Sequence, residues 1–496
     1  MNSSNGAARL PVVIQGGMGV AISNWRLARA VSRMGQMGVV SGTGISRIFV
    51  SRLTDGDLSG DVRRALCHFP MQDPIQKILD RYYIPGGKDP SAPYKSPQAN
   101  TVQPPEFVDQ LTVIATFVEV FLAKEGHTGL VGINLLEKIQ MANLAGLYGA
   151  VLGGADFVLM GAGIPTQVAG TLDKLALHKP VKYRLDVLGA APTDDFHIAL
   201  NPEMIFPGIT EKLGPLPRPR FLPIISSVVL AQALIKRSEG PVNGFIIEGP
   251  TAGGHNAPPR GAIKLNEKGE PIYGEKDLVD LEKIKQLGLP FWLAGGYARP
   301  EQVKAALASG ATGVQIGTAF ALCNESGMEA SLKQRMLAKV MDGDVSVLTS
   351  LKASPTGFPF KVAALEGTLS EPDVYDARPR ICDLGYLRVP AKQPNGTIRY
   401  RCAAEPVKDY VAKGGDIADT VGRSCLCNSL VASAGFPQRR RDGYVEMPMV
   451  TAGDDLAMVR RFISPEQPNY SARDVLNYLL ETNPAAELEA ESVQTP

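Results

Sequence analysis

Short apolar runs without polar alternation recur along the first two thirds of the chain. They occupy residues 10–15, 37–41, 130–135, 157–160, 221–226, 244–248, 290–294 and 313–317. Runs of this length, rich in Val, Ile, Leu and Phe, predict strands buried on both faces, as in a parallel sheet covered by helices. Between most of them lie segments whose apolar residues return every three or four positions, at 25–34, 165–177, 228–237, 278–287 and 300–309. That spacing predicts amphipathic helices. Eight strands alternating with helices predict an α/β fold, a (β/α)8 TIM barrel, with an open doubly wound sheet as the competing arrangement.

Two stretches interrupt the alternation. Residues 55–103 are rich in Pro and Gly and too long for an ordinary connection, so they predict an insertion or a lid. Lys182, Arg184 and Asp186 break the apolar run at 181–187, which reads as a hairpin within an excursion near 181–220. Beyond about residue 351 the alternation stops. The expected organisation is a barrel over 1–350 carrying both excursions, then a C-terminal extension over 351–483 acting as a lid or accessory subdomain. A helix is expected near 474–481, and the acidic, Ala-rich residues 484–496 are expected to be a disordered tail.

Composition narrows the function classes. The chain has 496 residues, 44% of them hydrophobic, which supports a core of ordinary size. Its 51 basic and 50 acidic residues leave a net charge of +1, so no general footprint for nucleic acid or anionic membrane exists. Six Cys in this length do not make a disulfide scaffold and suggest a reducing compartment. Residues 1–10 lack the basic start and apolar run of a secretory signal. The longest uncharged stretch, 305–324, carries Ser-Gly-Ala-Thr-Gly in its middle and reads as a helix followed by a strand, not a membrane span. A cytoplasmic location is the expectation.

Glycine is the one unusual number, at 51 residues, and much of it is grouped just past predicted strands. There it permits a sharp turn or the close approach of a ligand. No Walker loop occurs, and Gly16-Gly17-Met18-Gly19 lacks the spacing of a dinucleotide-binding fingerprint. Gly295-Gly296 ends the seventh strand and Gly317-Thr318 the eighth, where barrels commonly bind phosphate. The sixth strand leads into Glu248-Gly249-Pro250-Thr251-Ala252-Gly253-Gly254-His255, which makes His255 the best candidate for acid–base work. His68, His127, His178 and His197 read as surface or structural.

These motifs carry a resemblance. Val13-Ile14-Gln15-Gly16-Gly17-Met18, Ala252-Gly253-Gly254-His255, Ala294-Gly295-Gly296 and 314–320 (Val-Gln-Ile-Gly-Thr-Ala-Phe) stand in order and resemble the nitronate monooxygenase (2-nitropropane dioxygenase-like) family. That family comprises FMN-dependent barrel flavoenzymes and is related to flavin-dependent enoyl-acyl-carrier-protein reductases. The resemblance implies that Gln15, Gly16, Gly17 and Met18 lie along the flavin ring, that Asn134 hydrogen-bonds it, and that Gly254 passes beside it. It implies that Gly295, Gly296, Gly317 and Thr318 hold the FMN phosphate, and that His255 is the active-site base. Gln315, within the strand, reads as structural. The implied reaction is oxidation of alkyl nitronates by O2 to a carbonyl compound and nitrite. The alternatives are an NAD(P)H-dependent enoyl-thioester reductase and a non-catalytic flavin-binding accessory protein. The implied partners are therefore a small-molecule substrate (nitronate or enoyl thioester) and O2, with no nucleic acid or membrane; a homodimer is allowed.

Three features depart from the family or lie outside it. After His255 come Asn256-Ala257-Pro258-Pro259-Arg260, where the prolines stiffen the loop and Arg260 is either solvated or a contact for an anionic substrate group. Cys382, Cys402, Cys425 and Cys427 lie close together but lack paired Cys-x-x-Cys spacing, so no metal is expected and small buried residues are the favoured reading. Arg439-Arg440-Arg441, with Arg423 and Lys413, form a basic cluster that reads as a solvated loop or a patch for a carrier protein.

Overall fold

The computed structural model describes residues 10–481. Eight strands, β1 (Val13–Gln15), β2 (Gly38–Ser41), β3 (Val131–Leu136), β4 (Phe157–Gly161), β5 (Arg220–Ile225), β6 (Phe245–Glu248), β7 (Phe291–Ala294) and β8 (Gly313–Ile316), form one parallel sheet. Its neighbours run β1-β8-β7-β6-β5-β4-β3-β2. The two ends meet: Ile14 bridges Met37 in parallel, with Gln15 N–H donating to Met37 O at 2.9 Å and Met37 N–H to Val13 O at 3.1 Å. The sheet is therefore a closed barrel, and the open-sheet alternative is excluded.

Alternating side chains divide into two apolar layers. Ile14, Val39, Phe157, Leu159, Leu222, Ile246 and Trp292 share one buried cluster drawn from six strands, which fills the barrel. The Trp292 indole N–H donates to Pro11 O at 2.8 Å, so even this large ring carries no unpaired donor. The opposite-facing residues, such as Val158 and Met160, pack against the helices outside.

All eight predicted strands are present; of the five predicted helices, Val228–Arg237 has the predicted bounds, three are shorter by one to five residues, and Leu281–Lys285 is half the predicted length. A 19-residue helix at Glu106–Lys124 escaped the periodicity reading because it is apolar nearly all round and buried on most faces. It packs on the helix Gln140–Leu152, where Gly149 and Gly153 let the two backbones approach; a Cβ on Gly153 would stand 2.8 Å from Val120 Cβ. Residues 55–103 begin with the helices Asp61–Cys67 and Asp73–Tyr82, whose Val62, Leu66, Ile75 and Ile78 join this same outer layer. The predicted hairpin is Val181–Arg184 against His197–Leu200.

Segments of the extension between Phe360 and Asp455 lie across the C-terminal ends of the barrel strands. The strand Phe360–Ala363 pairs with Val347–Ser350, and the helix Leu426–Ser433 sits above the barrel mouth with its cavity-facing residues. The helix Ala472–Leu480 returns to the barrel wall, packing on Trp25–Arg33 and Pro300–Ala308. The reading of 484–496 falls outside the described residues.

Candidate active site

One cavity opens at the C-terminal ends of β1, β3, β4, β6, β7 and β8. Its walls include Gly16, Gly17, Met18, Asn134, Gly254, His255, Gly295, Gly296, Gly317 and Thr318, so the structure brings together every predicted site residue except Gln15. Gln15 is fully buried behind the wall. Its Nε2 donates to Gly16 O at 2.5 Å and to Ser23 Oγ at 2.8 Å, and its Oε1 accepts from Val39 N–H at 3.0 Å. Its side chain therefore sets the shape of the 16–18 turn and joins β1 to β2, instead of lying along a ligand.

Two carboxamides face the cavity with unmet acceptors. Asn134 Nδ2 donates to Gly17 O at 2.9 Å, yet its Oδ1 has no partner. Gln315 Oε1 is likewise buried without one, although its place within β8 suggested a purely structural role. Two orphaned acceptors in one site cost more than a lone satisfied pair and point to a ligand carrying N–H donors. Gly295 and Gly296 hold φ of +92° and +75°, a backbone open to glycine at little cost, and a Cβ on Gly295 would press Thr251 Oγ1 at 2.8 Å. These features fit the edge of a flavin ring and a phosphate-bearing tail.

His255 lies in this cavity against Phe360, the ring centroids 4.8 Å apart, and shares a 2.7 Å hydrogen bond from Nε2 to Ser354 Oγ. Burial, then the nearby Lys138 ammonium, pushes its pKa down to about 4, so the imidazole is neutral across the physiological range. Glu248, at the end of β6, also lines the cavity, and burial pushes its carboxyl up to about 8. It carries its proton at neutral pH. The sequence contained its position at a strand end but no spacing that marked it as special.

The extension completes the site. Gly254 N–H donates to Thr451 Oγ1 at 2.9 Å, and Lys361 N–H to Gly254 O at 2.9 Å, so the His255 turn is held from both sides by residues distant in sequence. Gly453 N–H donates to Thr318 Oγ1 at 2.9 Å, and Asp455 also hydrogen-bonds that hydroxyl. The hydroxyl expected to hold phosphate is thus already engaged, with a buried carboxyl beside it whose pKa burial raises. Tyr386, Leu387, Leu426, Leu430, Val431 and Met449 supply an apolar roof. No residue of 55–103 lines the cavity, so that segment is outer wall and not a lid over the described site.

The remaining candidates are explained by internal contacts. Arg260 does not reach the cavity; its guanidinium donates to the carbonyls of Lys276 and Ser226 and so clamps its own loop. Arg440 pairs with Asp383 and Glu446, Arg423 donates to Leu351, Lys352 and Ser354 carbonyls, and Lys413 pairs with Glu405. Three of the five residues of the basic cluster are therefore engaged within the fold. His68 stacks on Phe121, His127 bonds Ala123 O, His178 bonds Tyr148 and Gly214, and His197 pairs with Asp195, as structural histidines do.

The family model of the nitronate monooxygenases matches residues 220–356, the half of the barrel that holds β5 to β8 and the His255 turn. Over these residues the chain is similar to the nitronate monooxygenases. A probable nitronate monooxygenase of Bacillus subtilis is 38% identical over 122 residues, which are 24% of this chain and 33% of that protein. A nitronate monooxygenase of Pseudomonas aeruginosa is 34% identical over 138 residues, 27% of this chain and 38% of that protein. A Mycobacterium tuberculosis protein named (3aS,4S,5R,7aS)-5-hydroxy-7a-methyl-1-oxo-octahydro-1H-indene-4-carboxyl-CoA dehydrogenase is 29% identical over 132 residues, 27% of this chain and 34% of that protein. The chain thus matches about a third of the length of each of these relatives, and the nitronate monooxygenase segment does not include the apolar roof. Among the described residues no helix is long and apolar enough to cross a membrane.

Proposed function

We propose that the protein is an FMN-dependent oxidoreductase that oxidises alkyl nitronates with O2 to a carbonyl compound and nitrite. The observation that carries the reading is the convergence, in one cavity, of the neutral His255 imidazole, the unmet acceptors of Asn134 and Gln315, and the glycine turns after β7 and β8. Gly16, Gly17, Met18 and Gly254 would flank the ring, Asn134 and Gln315 would accept from its N–H groups, and Gly295, Gly296, Gly317 and Thr318 would receive the phosphate. Bound FMN would supply the electron acceptor, chemistry that no side chain here can provide.

The protein's own part is positional and protonic. His255 faces the cavity uncharged, so it can take the α-proton of a nitroalkane or donate to an oxygen of the nitronate anion. The anion's charge raises the imidazole's proton affinity once it is bound, which opposes the effect of burial. The roof residues exclude water and receive an alkyl chain.

A second reading, reduction of an enoyl thioester by NAD(P)H, is favoured by the same apolar roof and by the acyl-CoA named for the M. tuberculosis relative. One experiment separates the two. The purified protein, checked for bound FMN, is mixed without oxygen with a nitronate or with NADH. Bleaching by the nitronate, followed by nitrite release when air enters, is the expected result. Bleaching by NADH alone establishes the reductase, and a flavin inert to both leaves an accessory binding role. Protein that neither carries nor accepts FMN overturns the cofactor.

A further inference from the structure

Four thiols from three separate segments meet in one cluster, and one of them, Cys427, lines the cavity. Cys402 follows the strand Ile398–Arg401, Cys425 and Cys427 flank the start of the helix Leu426–Ser433, and Cys382 stands in the loop before Tyr386 and Leu387. Cys402 and Cys425 form one buried cluster with Ala404, and Cys382 and Cys427 pack against it. All are free thiols, and among the described residues no group of three side chains is arranged to hold a metal ion. We propose that Cys382 and Cys402 are a thiol–disulfide exchange pair that reacts with low-molecular-weight disulfides.

The two thiols differ in the way such a pair requires. Cys382 is partly exposed, whereas Cys402 is buried. A hydrogen bond between the two holds the Cys382 thiol below the ordinary thiol range, with Arg388 adding to the effect, while the same contact and burial raise Cys402. Cys382 is therefore the thiol that a small molecule can reach and that ionises more readily, and Cys402 the one that resolves. In the first step Cys382 Sγ attacks one sulfur of R–S–S–R, forming a mixed disulfide and releasing R–S⁻. Cys402 then gives up its proton and attacks Cys382 Sγ, releasing the second R–S⁻. The two cysteines lose two electrons, the reagent gains them, and the two thiol protons leave with two R–SH. Cys402 is the thiol hydrogen-bonded to Cys382, which places it for the second attack. Cys427, Tyr386 and Leu387 line the cavity, so the exchange takes place directly behind its wall.

The test uses the reduced, full-length protein in oxidised glutathione, without substrate, so its outcome is independent of the oxidoreductase reading. Native thiol titration is expected to lose two of the six cysteines, and peptide mapping to find a Cys382–Cys402 cross-link. Cys402→Ser should stop at Cys382 bearing one glutathione, Cys382→Ser should abolish the fast loss, and Cys425→Ser should leave it intact. No thiol loss in the native protein, a cross-link between a different pair, or one equivalent of zinc co-purifying with the thiols would overturn the assignment. Because the cross-link is mapped in the unaltered protein, a variant that fails to fold does not rescue or sink it.

Discussion

His255 and Glu248 stand in one cavity with proton affinities displaced to opposite sides of neutrality, at about 4 and about 8. Between these values the imidazole is neutral and the carboxyl protonated, so turnover should be flat across that range and fall as pH rises through about 8. Glu248→Gln should keep the plateau and remove the alkaline fall; a pH profile of kcat/KM reads both. Burial raises the Glu248 pKa above its unfolded value, so its contribution to stability is complete below the unfolded pKa and is lost as pH rises through the folded one. The glutamine variant should therefore gain in melting temperature over the parent at alkaline pH. His255→Ala should lower turnover by about 10²–10⁴-fold, the scale of a general base, while FMN content stays near that of the parent. Asp455 places a carboxyl beside Thr318, where a phosphate would bring like charge. Asp455→Asn should tighten FMN retention, read as a lower dissociation constant by flavin fluorescence; unchanged or weaker retention would move the phosphate elsewhere.

At the scale of elements, the His255 turn is held by the extension as well as by its own local hydrogen bonds. The segment around Gly453 passes so near Gly253 that an added Cβ would stand 2.9 Å from Ala452 C and Gly453 N. Both are backbone atoms, which cannot swing aside as a side-chain tip can. Gly253→Ala should therefore lift this segment from the turn and cost about 1–3 kcal/mol, the usual penalty of overpacking. Faster proteolysis within 440–460 together with a lower melting temperature would register it. The strands were readable from their apolar runs because parallel strands buried on both faces tolerate almost nothing else. Glu106–Lys124 was not, because a helix surrounded by protein loses the polar face that marks a helix in sequence.

For the whole molecule, the barrel supplies the floor of the cavity and the extension its roof. Leu387, Leu426, Leu430, Val431 and Met449 present aliphatic surface to the cavity, so a longer alkyl chain should bind better until the roof is filled. Each buried methylene contributes about 0.8 kcal/mol, so kcat/KM should rise about three- to fourfold per added carbon. A nitronate series from two to eight carbons measures it, and a flat series would place the chain outside the roof.

Strand order, barrel class and nearly all of the floor residues were legible in the sequence, because glycine after a buried strand is required wherever a backbone must turn tightly or admit a ligand. Gln15 was legible as part of the motif but not as an internal brace, since a motif records which residue stands at a position and not where its amide points. The Gln315 acceptor, the engagement of Thr318 by Gly453 and Asp455, and the meeting of four cysteines were decided only by tertiary structure. Each joins groups that lie far apart along the chain or depends on which face of a strand turns inward. Local periodicity carries neither kind of information, and only the closed barrel with the extension laid across its mouth supplies it.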